Sequence, residues 1–429
     1  MSHVVIRSVP FATRFRAAAG GAQELIRRDR ERAQKLLAGL SPHGPLPYQE
    51  YRRHRRHHHH RKGGAAEAPS TGPYGDAAPP ATGGGSSTGA GSSIDVTDTG
   101  VTYIMSVGVG SPATQYNLLI DTGSSNTWVG ANTPYNPTST SQDTGNTINV
   151  SYGSGTMTGE EYTDLVTLNP SLTIQNQSIG VASSAQGFTD VDGIIGVGPV
   201  DLTQNTVSNT TEVPTVTDNL YSQGTITSDS LGISYEPSSA TGVANGELTF
   251  GGVDNTKYTG EISFVPITTT SPASNYWGIN QSVTYGTDGT TILDTTAGIV
   301  DTGTTLLLLA TDAFQAYQQA TGGTQDQTTG LLTITEEQYN NLQSLYFNIG
   351  GTTYEFTANA QIWPRALNSV LGGEEGQIYL IASDLGSMSG SGLDFINGFG
   401  WLQRYYTVFD TGNAQVGVAT TEYTDADTN

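Results

Sequence analysis

Two copies of a short Asp-Thr-Gly motif, 180 residues apart, contain the residues best suited to carry out chemistry. Asp121 and Asp301 each follow an apolar segment, and each is followed by a Thr-Gly pair. Because Asp and Gly are ordinary turn residues, a single copy would be weak evidence of a site. A repeated motif behind a repeated apolar segment indicates an internal duplication that contributes one carboxylate from each half of the chain.

The chemistry open to such a pair follows from its charge. Two carboxylates within about 3 Å of each other cannot both stay ionised, so one keeps its proton and the two titrate as a coupled pair. The ionised member can take a proton from a water molecule held between them, while the protonated member polarises an amide carbonyl. The motif therefore predicts peptide hydrolysis without a covalent enzyme intermediate.

Residue types limit the chemistry of the acidic part of the chain. Residues 94–429 hold 33 acidic residues against Lys257, Arg365 and Arg404, a net charge of −30, and contain no histidine or cysteine. They cannot supply a Ser-His-Asp or Cys-His nucleophile, or a zinc site built from His and Cys. So strong a negative charge repels phosphate, which argues against nucleic-acid binding. We expect no metal and no cofactor.

The same charge predicts an acidic optimum. Near neutral pH the carboxylates repel one another and oppose the compact state, whereas protonation at lower pH relieves that repulsion. We therefore expect the greatest stability and activity below neutral pH. No apolar run is long enough to cross a bilayer, so no membrane span is expected.

The first 93 residues differ in character from the rest. Residues 1–62 form a basic arm, and residues 63–93 form a linker rich in Gly, Ala, Pro and Ser. Together they hold 14 of the 17 Lys and Arg residues and six acids, a net charge of +8. Residues 22–37 have the apolar spacing and the i,i+4 charge pairs of an amphipathic helix.

The basic run at residues 52–62 has more than one interpretation. It is either a solvated, disordered segment or part of a cover that binds the acidic body at neutral pH and is released by acid. A metal site at the histidines of residues 57–60 is a less favoured alternative. Residues 1–7 lack the apolar core of a signal peptide, so we expect any such segment to be absent from this chain.

From residue 100 onward the sequence is typical of a mainly β protein. Strand-like segments alternate with turn signals, and residues 149–159 predict a hairpin with a Gly/Ser-rich tip. Short helices are predicted at residues 214–223, 311–320 and 335–345.

The duplication extends beyond the two Asp motifs. Residues 192–199 in the first half and residues 394–401 in the second are similar apolar runs in equivalent places. The pattern predicts an N-terminal lobe at residues 94–265 and a C-terminal lobe at residues 266–429. A cleft between two lobes is where a substrate would lie.

Five motifs, taken together, resemble those of the pepsin family of aspartic proteases, most closely its secreted fungal members. They are residues 121–128, 152–155, 192–196, 301–305 and 404–410. The resemblance covers about residues 95–425, that is, the chain without its basic arm and linker. It implies a mainly β, bilobal fold with an interlobe sheet beneath the two aspartates and a central cleft.

The resemblance also implies a role for each site residue. Asp121 and Asp301 would bind the attacking water, and the groups around them would hold the carboxylates, join the two loops or close over the substrate. The supporting residues are Thr122, Gly123, Ser124, Trp128 and Thr302, and the flap and substrate-binding residues are Tyr152, Gly153, Ser154, Gly303 and Thr304. Trp128 would donate its indole N–H toward the hydroxyl of Tyr152.

Members of this family are made with a basic propeptide that blocks the cleft until acid releases it. The resemblance therefore implies a zymogen whose Lys and Arg residues are candidates to pair with the two aspartates, without singling out one of them. It also implies a secreted monomer that acts on peptides and proteins, with glycosylation candidates at Asn176, Asn209 and Asn280. Asn397 stands where many family members have an apolar residue, so the loop around it is expected to pack differently.

Two alternatives belong to other functional classes. A non-catalytic family member could bind a peptide in an intact cleft, although such proteins usually lose an aspartate, the flap tyrosine or a loop glycine, and this chain keeps all of them. A glycoside hydrolase can also work with two carboxylates. It gives no reason for duplicated Asp-Thr-Gly loops.

Overall fold

The computed structural model describes residues 7–15, 21–39, 101–153, 155–188, 190–240 and 243–429. The linker, the basic run at residues 52–62 and Ser154 lie outside the described residues, so the predictions made for them stay predictions. No helix within these ranges is both long enough and apolar enough to cross a membrane.

The described chain is mainly β, with short helices between strands. The helices are α1 (Gly21–Leu37), α2 (Val216–Ser222), α3 (Thr311–Thr321), α4 (Glu336–Asn340) and α5 (Phe399–Leu402). The strands are β1 (Arg7–Phe15), β2 (Val101–Val109), β3 (Thr114–Asp121), β4 (Thr127–Val129), β5 (Gln142–Ser151), β6 (Thr156–Asn169), β7 (Leu172–Gln186), β8 (Gly193–Gly196), β9 (Ser230–Tyr235), β10 (Val243–Phe250), β11 (Thr259–Pro266), β12 (Gly278–Tyr285), β13 (Thr290–Val300), β14 (Leu307–Leu309), β15 (Thr324–Gln325), β16 (Leu332–Ile334), β17 (Leu345–Ile349), β18 (Thr352–Phe356), β19 (Ile378–Tyr379), β20 (Ala382–Asp384), β21 (Phe395–Asn397), β22 (Tyr405–Asp410) and β23 (Gln415–Thr420).

The largest described sheet combines strands from both halves of the chain. Its order is β11-β23-β22-β9-β10-β1-β2-β3-β8-β4-β7-β6-β5. Strand β1 of the basic arm lies between β10 and β2, where Ala12 pairs with both Ala244 and Ile104. This strand of the arm is therefore built into the sheet.

The duplication predicted from the sequence is visible in how each Asp motif is held. In the first half, β3 runs parallel to β8, and β8 pairs antiparallel with β4. In the second half, β13 runs parallel to β21, and β21 pairs antiparallel with β14. Asp121 is the last residue of β3, and Asp301 directly follows β13. Each carboxylate thus leaves the end of a buried central strand.

Most predicted local elements are confirmed, and one helix is wrong in length. The helices expected at residues 22–37, 214–223 and 311–320 are present, as is the hairpin of β5 and β6. The helix expected at residues 335–345 begins with its capping box at Thr335 but ends at Asn340. Leu345 instead begins β17, whose side chains alternate between buried and half-buried positions and which pairs with β12 and β18.

Asn397 packs in a way that the sequence did not reveal. Its side chain exchanges two hydrogen bonds with Gln281, one of 2.9 Å from Asn397 Nδ2 and one of 3.1 Å to Asn397 Oδ1, and both residues are 0% exposed. The backbone oxygen of Asn397 accepts a 3.1 Å hydrogen bond from the N–H of Asp301. A satisfied amide pair therefore replaces an apolar contact next to the second aspartate.

The pair gives a direct test by substitution. We expect Asn397→Leu to lower the free energy of unfolding by about 1–3 kcal/mol, because it leaves the buried amide of Gln281 without a partner. The double change to Leu at both positions should recover much of that loss. Chemical denaturation of the two variants measures the difference. Equal stability of wild type and Asn397→Leu would show that the pair contributes nothing.

Candidate active site

Asp121 and Asp301 are both buried and have matching hydrogen-bond environments. The outer oxygen of Asp121 accepts a 2.6 Å bond from Ser124 Oγ, and that of Asp301 accepts a 2.7 Å bond from Thr304 Oγ1. The inner oxygens accept bonds of 2.9 Å and 3.0 Å from the backbone N–H groups of Gly123 and Gly303. Both carboxyl groups are 0% exposed. Four donors of the two loops thus fix their orientation.

The two loops are joined by a reciprocal pair of threonines. Thr122 N–H donates to Thr302 Oγ1, and Thr302 N–H donates to Thr122 Oγ1, both at 3.0 Å. Thr302 Oγ1 also donates to the carbonyl of Ile120 at 3.2 Å. These buried bonds fix the spacing between the two halves of the site.

Glycine is required beside each carboxylate because the loops approach so closely. A Cβ atom at Gly123 would lie 2.7 Å from Asp301 Oδ1, and one at Gly303 would lie 2.7 Å from Asp121 Oδ1. Each aspartate therefore packs over the glycine of the opposite loop.

The hairpin of β5 and β6 covers the site from one side. Tyr152, at the hairpin, accepts a 2.8 Å hydrogen bond from Trp128 Nε1 through its hydroxyl, and both rings contact Phe188. Burial, together with the charge of Asp121, raises the pKa of Tyr152 above its ordinary value, so the hydroxyl stays protonated. The backbone of Gly153 lies against Arg32, leaving no room there for a larger residue.

Helix α1 places Arg32 between the two aspartates. Its Nη2 donates to Asp121 Oδ1 at 2.5 Å and to Asp301 Oδ1 at 2.9 Å, and its Nε donates to Asp301 Oδ2 at 2.7 Å. One guanidinium nitrogen contacts both carboxylates, so Asp121 and Asp301 do meet at a single point. Arg32 itself is only 13% exposed.

Comparison with known proteins agrees with this geometry. The model of the eukaryotic aspartyl protease family matches residues 102–421. The chain belongs to the pepsin-like aspartic protease family. It is 60% identical to polyporopepsin from Irpex lacteus over 339 residues, which are 79% of this chain and 99% of that protein. It is 29% identical to pepsin A from Bos taurus over 334 residues, 74% of this chain and 83% of the relative.

A solved structure supports the fold. The crystal structure of the aspartic proteinase from Irpex lacteus aligns with a TM-score of 0.75 at 60% sequence identity, covering 76% of this chain and 96% of that one. The bilobal, mainly β aspartic protease fold expected from the sequence is confirmed.

The docked helix changes the ionisation of this aspartic protease site. Burial alone would raise the pKa of Asp301, but the charge and hydrogen bonds of Arg32, with those of Thr304 and Gly303, hold that pKa below its ordinary value. The two carboxylates in turn raise the pKa of Arg32, against the effect of its burial. The guanidinium thus neutralises the repulsion that would otherwise make the pair keep a proton.

Two more residues of α1 meet the protease site. The carboxylate of Asp29 is fully buried and accepts bonds of 3.0 Å and 2.8 Å from the backbone N–H groups of Thr305 and Leu306. Burial raises its pKa to about 6. Lys35 Nζ donates to Ser151 Oγ at 3.0 Å and lies 6.0 Å from the ring centre of Tyr152. Its pKa falls to about 7, through burial and then the charge of Arg32.

Sequence reasoning named the basic residues of the arm as candidates without choosing Arg32, and it missed Asp29. The helical periodicity of residues 22–37 indicates which charged residues face the protease body. Leu25, Asp29 and Leu36 are buried on one face of α1, and Arg32 falls on the same face at i+7 from Leu25. Charged residues within the apolar stripe of an amphipathic helix are the ones that must find partners on the surface it packs against.

Proposed function

We propose that this chain is the zymogen of a secreted, monomeric aspartic endopeptidase that cleaves extended protein substrates at acidic pH. The observation that carries the proposal is the position of Arg32, which binds both Asp121 and Asp301. A substrate cannot reach carboxylates that are 0% exposed and already bonded to an arginine of the same chain. The segment up to about residue 89 is then the propeptide, removed on activation. Secretion is inferred from the resemblance to secreted fungal members of the family.

In the proposed mechanism the released pair holds one proton. The ionised carboxylate takes a proton from a water molecule as the water oxygen attacks the carbonyl carbon, and the protonated carboxyl gives its proton to the carbonyl oxygen. The resulting tetrahedral diol then collapses. One hydroxyl proton returns to the pair, the amide nitrogen takes a proton from it, and the C–N bond breaks. The pair ends with one proton, as it began.

The surrounding groups prepare this reaction. The hydrogen bonds from Ser124, Thr304, Gly123 and Gly303 hold the carboxylates in place before substrate arrives, so little reorganisation is needed. Tyr152 and Gly153 belong to the flap that would close over a bound peptide and exclude water. Neither function requires a metal or a cofactor.

The catalytic part of the proposal is tested by Asp121→Asn. We expect a loss of roughly 10²- to 10⁴-fold in the rate of peptide cleavage, because one half of the acid–base pair is removed. The assay is an acid digest of a denatured protein, with the new termini sequenced. Asp201→Asn is the matched control, since Asp201 is an exposed residue of the same lobe. Full activity of Asp121→Asn would overturn the role of Asp121 in the acid–base pair. No cleavage by acid-treated wild type would favour the non-catalytic or glycosidase alternatives, and inhibition by a statine-type transition-state mimic separates the protease from both.

The effect of pH on release follows from proton uptake. With Arg32 docked both aspartates can be ionised, whereas the free pair must retain a proton, so release takes up a proton and is favoured by acid. Protonation of Asp29 has the opposite effect on docking. Its pKa of about 6 in the docked helix exceeds the value of about 3.9 for a free aspartate, so acidification between these values strengthens docking. Release is therefore expected in more acidic solution, where the pair of aspartates takes up its proton.

Acid activation is tested by comparing Arg32→Gln with wild type. At neutral pH we expect wild type to stay intact and inactive, and at about pH 3–4 to yield a shortened chain that begins near residues 85–95. Arg32→Gln should cleave a peptide at higher pH than wild type, because the cation between the aspartates is gone. Arg27→Gln is the control, since Arg27 bonds to Glu24 and Glu31 of its own helix. The proposal is wrong if full-length wild type keeps its N-terminus at this pH and still cleaves peptides fully.

Three exposed asparagines are proposed to carry N-glycans. Asn176, Asn209 and Asn280 each begin an Asn-x-Ser/Thr sequence and have exposed side chains. Asn149 is half-buried within β5 and is less suited. Enzymatic deglycosylation of the secreted protein should lower its mass, and this shift should vanish when all three asparagines are changed to Gln. A shift that persists in the triple variant would place the sugar elsewhere.

A further inference from the structure

A second arginine of α1 occupies a separate place in the C-terminal half of the cleft wall. Arg30 Nη2 donates to Asp384 Oδ2 at 3.2 Å, and Arg30 Nε donates to the backbone oxygen of Asp384, also at 3.2 Å. Two acceptors of one residue thus hold the guanidinium in a defined orientation. A charge attracted only by the general field of the body would have no such fixed partners.

The loop that follows Asp384 is shaped around the aliphatic stem of Arg30. Gly386 has a φ of +91°, and a Cβ atom built there would lie 3.2 Å from Cγ and from Cδ of Arg30. Next to it, the backbone oxygen of Leu385 accepts a 2.9 Å hydrogen bond from Gln34 Nε2. The absence of a side chain at residue 386 is what lets a long side chain lie flat on this loop.

Asp384 keeps its orientation without the arm. Its Oδ1 accepts bonds of 2.7 Å from Thr311 Oγ1 and 2.8 Å from the N–H of Gly386, and both donors belong to the protease body. Among the described residues, Oδ2 accepts a hydrogen bond from Arg30 alone. One oxygen therefore positions the carboxylate, and the other is available to whatever lies in the cleft.

The space around this contact exceeds what Arg30 fills. A cavity of about 500 Å³ adjoins it, lined on one side by Gln23 and Ile26 of α1 and on the other by Phe314, Ser383 and Asp384. An extended peptide could therefore place a side chain here once the helix has left.

We propose that Asp384 and Gly386 form a substrate subsite that selects a basic side chain, and that Arg30 fills it in the latent chain. The subsite rests on the proposed function in one respect, since α1 must leave the cleft before a substrate can use it. The fixed carboxylate oxygen attracts the positive charge of the basic side chain, and the backbone oxygen of Asp384 orients it. Gly386 leaves space for its aliphatic stem. The body, with a net charge of −30, also attracts basic peptides in general.

The test compares peptides that differ in one charge. Acid-activated enzyme is assayed with a parent peptide that carries one bulky apolar residue on each side of the scissile bond and alanine at the three outer positions on either side. Arginine or its neutral isostere citrulline is placed singly at each alanine position. The assay uses the highest pH at which the enzyme still turns over, so that carboxylates are ionised. At one position we expect arginine to exceed citrulline in kcat/KM by roughly two- to fivefold, mainly through KM, as for a partly exposed ion pair.

Asp384→Asn should abolish that preference, because the amide keeps an oxygen for Thr311 and Gly386 but presents NH₂ to the guanidinium. The control is Asp326→Asn. Asp326 lines the same cavity, and its carboxylate accepts its described hydrogen bonds from Thr329 rather than from Arg30. With wild type alone, the ratio of kcat/KM for the arginine peptide to that for the citrulline peptide should also fall toward one as salt rises to about 1 M, where the screening length is about 3 Å. This measurement does not depend on how the variant folds.

Three results would overturn the subsite: no arginine preference at any position, a preference that Asp384→Asn retains, or an equal loss in Asp326→Asn. The first would limit Arg30 to holding the helix, and the last would leave only general charge attraction. Failure of the proposed function looks different. In that case acid-treated wild type would not cleave the parent peptide at all, whereas failure of the subsite leaves parent cleavage intact.

Discussion

The repulsion between two carboxylates held in a dry site is the constraint on which the rest of this structure depends. Burial removes the solvent that would screen the charges of Asp121 and Asp301, so a cation or a proton must compensate one of them. In the structure the compensating group is the guanidinium of Arg32. In the proposed active form it is a shared proton. In the proposed function, latency and catalysis are two solutions to the same electrostatic problem, and pH selects between them.

The fold keeps the two carboxylates close against that repulsion. Each leaves the end of a central strand, is held by donors of its own loop, and lies over the glycine of the opposite loop. The crossed bonds of Thr122 and Thr302 join the loops directly. The amide pair of Gln281 and Asn397 lies beneath one of them and uses polar atoms where an apolar contact would have filled the space. These groups are thus hydrogen-bonded, as expected of polar groups that cannot reach water.

What the sequence could predict was mostly local. The Asp loops, the hairpin of β5 and β6 and three of the helices follow from motifs whose residues are close together in the chain. The second Asp loop could be recognised because it repeats the first. The helix expected at residues 335–345 was too long because its capping box marks only where it begins, while the pairing of β17 with β12, some sixty residues earlier in the chain, decides where it ends. Helical periodicity places Arg32 on the buried face of α1, but its pairing with both aspartates depends on the register in which α1 docks against residues 89 and 269 positions away.

Net charge alone does not explain how the arm binds the body. Arg27 is as basic as Arg32, yet it bonds to glutamates of its own helix. Asp29 has the wrong sign for docking on a body of charge −30, yet it is the most deeply buried charged residue of α1, because two backbone N–H groups beside Asp301 require an acceptor. Specific partners therefore decide which residues of the arm enter the site. The acidic body attracts the basic helix, whereas hydrogen-bond geometry sets the position at which it docks. In the proposed activation, that position also determines which carboxylates acid protonates to release it.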